Sequence, residues 1–182
     1  MYSLRTARPG AALCLAALAA GCSPALNWRN VPLADTGLVA LMPCKPDHAV
    51  RPVDLGGRPA ELALWGCDAD GATFAVSHMR AFGPEAADAA LAQWRSAVLA
   101  RMQAPASPAA AEPFTPPKAL ALPSAVRTTA QGRRPDGAAI TAHAAWFARL
   151  QGREVHLYHA VVYAPAARPS VADTFFAGLA LQ

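Results

Sequence analysis

Ser77 and His78 stand side by side, a nucleophile type next to a base type. In an extended strand, successive side chains point to opposite faces, so the two cannot meet directly. No Gly-x-Ser-x-Gly turn is present to expose a serine at a strand–helix elbow. Asp68-Ala69-Asp70-Gly71 supplies the first oxygens of a calcium loop but not the later ones or the closing Glu. Between two apolar runs, it reads as a hairpin turn. His48, His143, His156 and His159 are metal-ligand types. His156 and His159 fall on opposite faces by parity, and His143 and His156 share a face without standing opposite each other. A three-histidine site would need His48 or another distant residue. The simpler reading of His159 is a buried, hydrogen-bonded core residue. These patterns lead us to expect no catalytic residue, no metal site and no cofactor.

The elements that would position these residues are legible from period and punctuation. Gly37–Met42 is an apolar run that fits a buried strand and ends at Pro43-Cys44-Lys45-Pro46. Ala49–Leu55, Pro59–Cys67 and Ala72–Met79 follow as strands, the last two joined by the Asp70-Gly71 turn. Parity puts Ala63, Trp65 and Cys67 on one face with Phe74, Val76 and His78. Leu62 and Leu64 share the other with Ala75 and Met79. Both faces are apolar, so the pair should be covered on both sides.

At Pro84 the period changes. Ala87, Leu91, Trp94, Val98 and Met102 form a stripe at helical spacing, and Pro84 and Glu85 suit a helix start. Residues 104–117 are rich in Pro and Ala and read as a long mobile loop. Leu120–Ala130 is a moderate strand, and Arg134-Pro135-Asp136-Gly137 is a turn. Ile140–Leu150 and Val155–Tyr163 form the clearest hairpin, with Gln151-Gly152 at its tip and Leu150 opposite Arg153. That register sets Arg149 across from Glu154 and Phe147 across from His156. Pro169–Gly178 reads as a short helix burying Val171, Phe175 and Phe176, and Leu179–Leu181 as a last strand.

Charge and composition exclude several classes. The apolar fraction is 54% and the charged fraction 15%, which rules out a charge-rich disordered chain. No apolar run reaches the roughly 20 residues of a membrane-spanning helix. The formal charge is +4, but without Arg5 and Arg8 the 16 basic residues become 14 against 12 acidic ones, or +2. Lysine occurs only at Lys45 and Lys118. No clustered basic face is visible, so no nucleic-acid partner is expected.

The start of the chain has another character. Arg5 and Arg8 precede the apolar stretch Ala11–Ala20, whose length and flanks are those of a secretory leader. Leu18-Ala19-Ala20-Gly21-Cys22 resembles a bacterial lipobox, although Ala19 holds the place where Leu is commonest. The alternative is an ordinary leader cut near Ala20. The resemblance implies that Cys22 takes a diacylglycerol and, after cleavage, a further palmitate-type acyl chain on its new amine. Ser23 is the residue type seen after the Cys in similar outer-membrane lipoproteins. Cys14 would leave with the leader. Cys44 and Cys67 then remain as one pair in an exported chain, where disulfides persist, and a bridge is the expectation. A two-cysteine metal site would lack the usual Cys-x-x-Cys spacing.

The order of elements also carries a resemblance. Strands opening at Gly37–Pro43, a helix near the middle, a strand series with a hairpin and a closing helix at Ala172–Leu181 resemble the PsbP-like fold. This α/β/α sandwich is shared by extrinsic photosystem proteins, a Ran-binding import factor and several bacterial lipoproteins. Leu41–Pro46 is similar to a segment of a group of proteobacterial envelope lipoproteins. The expected fold is therefore α+β, one domain, with an antiparallel sheet carrying a long helix and a C-terminal helix. The expected organisation is a leader at 1–21, the lipidated Cys and a tether at 22–36, and the domain at 37–182. Members of the fold are mostly binding and assembly factors, but fold does not fix function. The leading expectation is a non-enzymatic outer-membrane lipoprotein facing the periplasm, with the bilayer and an envelope protein as partners. The alternatives are a carrier of a small apolar ligand, or a hydrolase or metal-binding protein using His48, His78 or His143.

Overall fold

A computed structural model describes residues 25–54, 57, 59–81, 83–105 and 111–182. The expected leader and Cys22 lie outside these residues. The architecture is α+β and one domain, with two antiparallel sheets and two helices. Strands β1 (Arg29–Leu33), β2 (Leu38–Met42) and β10 (Ala180–Leu181) make a three-stranded sheet in the order β1-β2-β10. Strands β3 (Asp47–Asp54), β4 (Pro59–Ala69), β5 (Ala72–Ala81), β6 (Ala111–Pro113), β7 (Val126–Arg133), β8 (Ala139–Gln151) and β9 (Glu154–Ala164) make a seven-stranded sheet. Its order is β3-β4-β5-β9-β8-β7-β6.

The two-sided apolar pattern has its counterpart in two cores. Phe74, Val76, Trp65, Phe147, Tyr158 and Ala160 project to one face, where the three-stranded sheet and helix α2 (Pro169–Ala177) cover them. Met79, Leu157, Val161, Trp146 and Ala144 project to the other, under helix α1 (Ala87–Arg101). Helix α1 follows a 3-10 turn, Pro84–Ala86, and buries Ala87, Leu91, Trp94 and Leu99. The β4–β5 turn forms as its sequence requires. Asp70 and Gly71 both take positive φ, 50° and 70°, the pairing that matches strand twist in a two-residue hairpin. The strand parities hold there too, with Trp65 opposite Val76 and Cys67 opposite Phe74.

Four expectations need correction. Residues 29–33 are not tether but β1, paired with β2 from Arg29↔Met42 to Leu33↔Leu38. Trp28 packs edge-on against Phe74 at 5.7 Å. Residues 111–117 are not loose. β6 pairs with β7, and Phe114 meets both Phe147 and Phe176. The strand expected from Leu120 starts at Val126. Before it, Leu120 N–H bonds to the Ala148 carbonyl, and Ser124 N–H bonds to Asp88 Oδ1 at 2.7 Å. Finally, the β8–β9 register is two residues away from the expected one, with Leu150 opposite Val155 and Gln151 opposite Glu154. The turn is Gly152-Arg153, and Gly152 supplies the positive φ. A shift of two keeps every face assignment and changes every partner. Arg149 therefore faces His156, and Phe147 stacks on Tyr158 at 4.9 Å.

Cys44 and Cys67 are joined, with Cα atoms 6.1 Å apart. The bridge ties the segment after β2 to β4, and so fastens the two sheets together. Closing a loop of this length is worth about 3 kcal/mol in the chain-entropy account.

Candidate functional site

One open groove gathers two of the histidines that stand out in the sequence. Strands β3, β4 and β5 form its floor, and the β1–β2 turn forms a wall. His48, Val50, Glu61, Trp65, His78 and Arg80 line a cavity of about 460 Å³, with Asp35 from the turn. His48 is exposed and stacks on Trp65, centroids 4.5 Å apart. The stack follows from pairing, since His48 stands opposite Trp65 in the ladder.

At the inner end of the groove, His78 Nε2 lies 2.9 Å from His156 Nδ1. His156 Nε2 faces Glu154 Oε2 at 3.9 Å. Across the His78–His156 contact one neutral ring donates its N–H and the other accepts. Burial, then His156, then Arg80 push the His78 pKa down to about 4. Burial also lowers that of His156, helped by Arg80 and opposed by Glu154. The contact between His156 and Glu154 is therefore not an ion pair at neutral pH. The rings are a neutral hydrogen-bonded couple, suited to holding β5 and β9 together. Neither His48 nor His78 has a serine or threonine hydroxyl as hydrogen-bond partner among the described residues.

His143 does a different job. Its Nε2 accepts the Arg168 N–H at 2.9 Å, which leaves the proton on Nδ1 to be donated to Thr129 Oγ1, also at 2.9 Å. Both ring nitrogens are used to hold the entry to α2. Arg168 pairs with Asp70 Oδ2 at 2.7 Å, and Arg127 bridges Glu112 and Asp173 nearby. Asp70 is thus an ion-pair partner, and Asp68 accepts from Thr73 Oγ1. The two do not converge as calcium ligands.

His159 is buried, as expected, but not hydrogen-bonded at Nε2. It stacks on Trp146 at 4.7 Å and meets Trp94 edge-on. His159 Nε2 and Trp146 Nε1 have no partner among the described residues. Burial alone lowers the His159 pKa to about 3. Ser77 pairs with His159 and His78 with Tyr158 in the β5–β9 ladder, so Ser77 and His78 sit on opposite faces. Among the described residues, no three His, Cys, Asp or Glu side chains gather as a metal site. Cys22, the expected lipidation site, lies outside the described residues.

The His78–His156 couple escapes the sequence reading. Parity sets each within its own hairpin, and only the β5–β9 pairing, 78 residues apart in the chain, puts them on one face and brings them together. No family model, curated protein or solved structure matches the chain.

Proposed function

We propose that the chain is a lipoprotein of the bacterial cell envelope, held in the outer membrane by acylated Cys22, with its α+β domain in the periplasm as a non-enzymatic binding module. Lipobox-like residues 18–22, Ser23 and the paired Cys44 and Cys67 support the placement. Support for a PsbP-like sandwich comes from the layer order, with α1 on one face of the large sheet and α2 on the other.

The observation that carries the binding role is the groove beside the free edge of β3. Among the described residues that strand pairs only with β4, and Val50 in its middle is 53% exposed. Ring faces at Trp65 and His48 and charged edges at Asp35, Glu61 and Arg80 lie next to it. An extended segment of a partner protein can pair with the edge and place alternate side chains in the groove.

Two variants test the two halves of the proposal. Cys22→Ser removes the acyl chains, each buried CH₂ of which is worth about 0.8 kcal/mol. This protein is expected to leave the membrane fraction in high salt, which screens any electrostatic attachment, and continued sedimentation with salt-washed membranes would refute the anchor. Val50→Arg with Glu61→Arg keeps the anchor and changes only exposed groove residues. An envelope protein co-purifying with the native lipoprotein should fall about tenfold, the equivalent of 1.4 kcal/mol. An unchanged set of co-purifying proteins would refute the groove as the binding site.

A further inference from the structure

Three arginines converge where α1 ends. Arg101, Arg133 and Arg134 border a cavity of about 330 Å³ whose apolar wall is Met102, Ile140 and Tyr163. Met102 and Ile140 are buried, and the arginines are exposed. None of the three forms an ion pair with a carboxylate among the described residues. Arg133 gives one N–H to the Gly137 carbonyl. The acid nearest in sequence to Arg133 and Arg134 is engaged: Asp136 accepts the Ala138 N–H of its own turn.

The helix end does not account for these charges. The carbonyls of Val98, Leu99, Ala100 and Met102 already receive backbone N–H groups from Met102, Ala104, Gln103 and Arg133. Arg101 and Tyr163 line the same cavity, where burial raises the Tyr163 pKa and Arg101 opposes it. A cavity basic at its rim and apolar within suits a ligand with an anionic head and an apolar body.

Its position in the fold narrows the ligand. Tyr163 stands opposite Thr73 in the sheet, and Ala142, two residues after Ile140, stands opposite Tyr163. The chain enters the domain at this same end. Asn27 N–H bonds to the Pro43 carbonyl, and Trp28 packs on Phe74, the neighbour of Thr73. Asn27 follows Cys22 by five residues, a reach of roughly 18 Å at full extension. Strand β8 has 13 residues and is roughly 40 Å long. An anchor at Cys22 therefore leaves the Ile140 end within reach of the bilayer.

We propose that this pocket takes the headgroup of an anionic phospholipid in the membrane that holds Cys22, with Arg101, Arg133 and Arg134 on the phosphate and Met102, Ile140 and Tyr163 against the apolar part. The proposal rests on the anchored reading above, but its test does not need the acyl chains. The Cys22→Ser chain is mixed with vesicles of phosphatidylcholine alone or of phosphatidylcholine with phosphatidylglycerol. The same chain carrying Arg101→Gln, Arg133→Gln and Arg134→Gln is compared. Any leader is common to both and cancels.

A cation near an anionic surface contributes about fivefold, so the triple variant should lose on the order of 100-fold in its preference for the anionic vesicles. Circular dichroism checks that the three exposed substitutions leave the fold intact. Equal binding to both vesicle types, or an unchanged preference in the folded triple variant, would overturn the proposal. So would tight binding of glycerol phosphate or polyglutamate without a vesicle preference, which would assign the pocket to a soluble anion or an acidic protein. Failure of the anchor would appear instead as an unacylated Cys22 in the intact mass of the native protein, a separate result.

Discussion

Acidification from about pH 7 to about pH 4.5 is expected to remove several kcal/mol of folding stability. Two histidines carry most of the effect. In the unfolded chain, each titrates near 6.5. In the fold, burial holds His159 at about 3 and, with His156 and Arg80, holds His78 at about 4. Between these values and 6.5, the unfolded state binds protons that the folded state does not, so stability rises with pH. The contribution is fully present above 6.5 and is lost as pH falls towards the folded values. Each unit between the two is worth about 1.4 kcal/mol, against a total of about 5–15 kcal/mol for a domain.

His143 and His156 add in the same direction, since burial lowers both. Protonated His143 would also lose its ability to accept the Arg168 N–H, which loosens the start of α2. Denaturant midpoints measured across this pH range should fall steeply. His159→Phe keeps a ring in the Trp146 stack and removes the proton, so its acid limb should be visibly flatter. An acid limb of the same slope in this variant would sink the argument for His159.

Gly132→Ala is expected to destabilise the domain by about 3 kcal/mol, from overpacking plus a lost backbone hydrogen bond. A Cβ at this position would overlap the Met102 carbonyl oxygen and stand 2.9 Å from the Met102 Cβ. That oxygen accepts the Arg133 N–H at 2.7 Å and so joins the end of α1 to β7. Backbone, unlike the end of a side chain, cannot move aside cheaply. Ser96→Ala on the outer face of α1 is the control, because Ser96 is exposed and its hydroxyl bonds to the Ala92 carbonyl of its own helix. It should change stability by less than about 0.5 kcal/mol. Equal thermal midpoints for the two variants would refute the close approach.

The sequence by itself determined the local chemistry of this protein. The Asp70-Gly71 turn, the helical stripe from Ala87 to Met102, the β8–β9 hairpin and the apolar pattern on both faces of β4 and β5 follow from steric preference and side-chain period. The Cys44–Cys67 bridge was expected from an even cysteine count read together with a secretory leader. Short-range rules set which face a residue joins, and a register shift of two leaves that parity intact.

Partners across the sheet were decided only by the tertiary structure. The β1 strand at Arg29–Leu33 is short, opens on two polar residues and holds Pro32, so its own pattern does not mark it. It forms because β2 offers an edge and Trp28 a seat on Phe74. The same holds for His78 against His156, for His143 on the Arg168 N–H, and for Arg101 beside Arg133 and Arg134. Each joins segments far apart in the chain. Propensity and period act over a few residues, whereas strand order is chosen by the burial of whole faces at once.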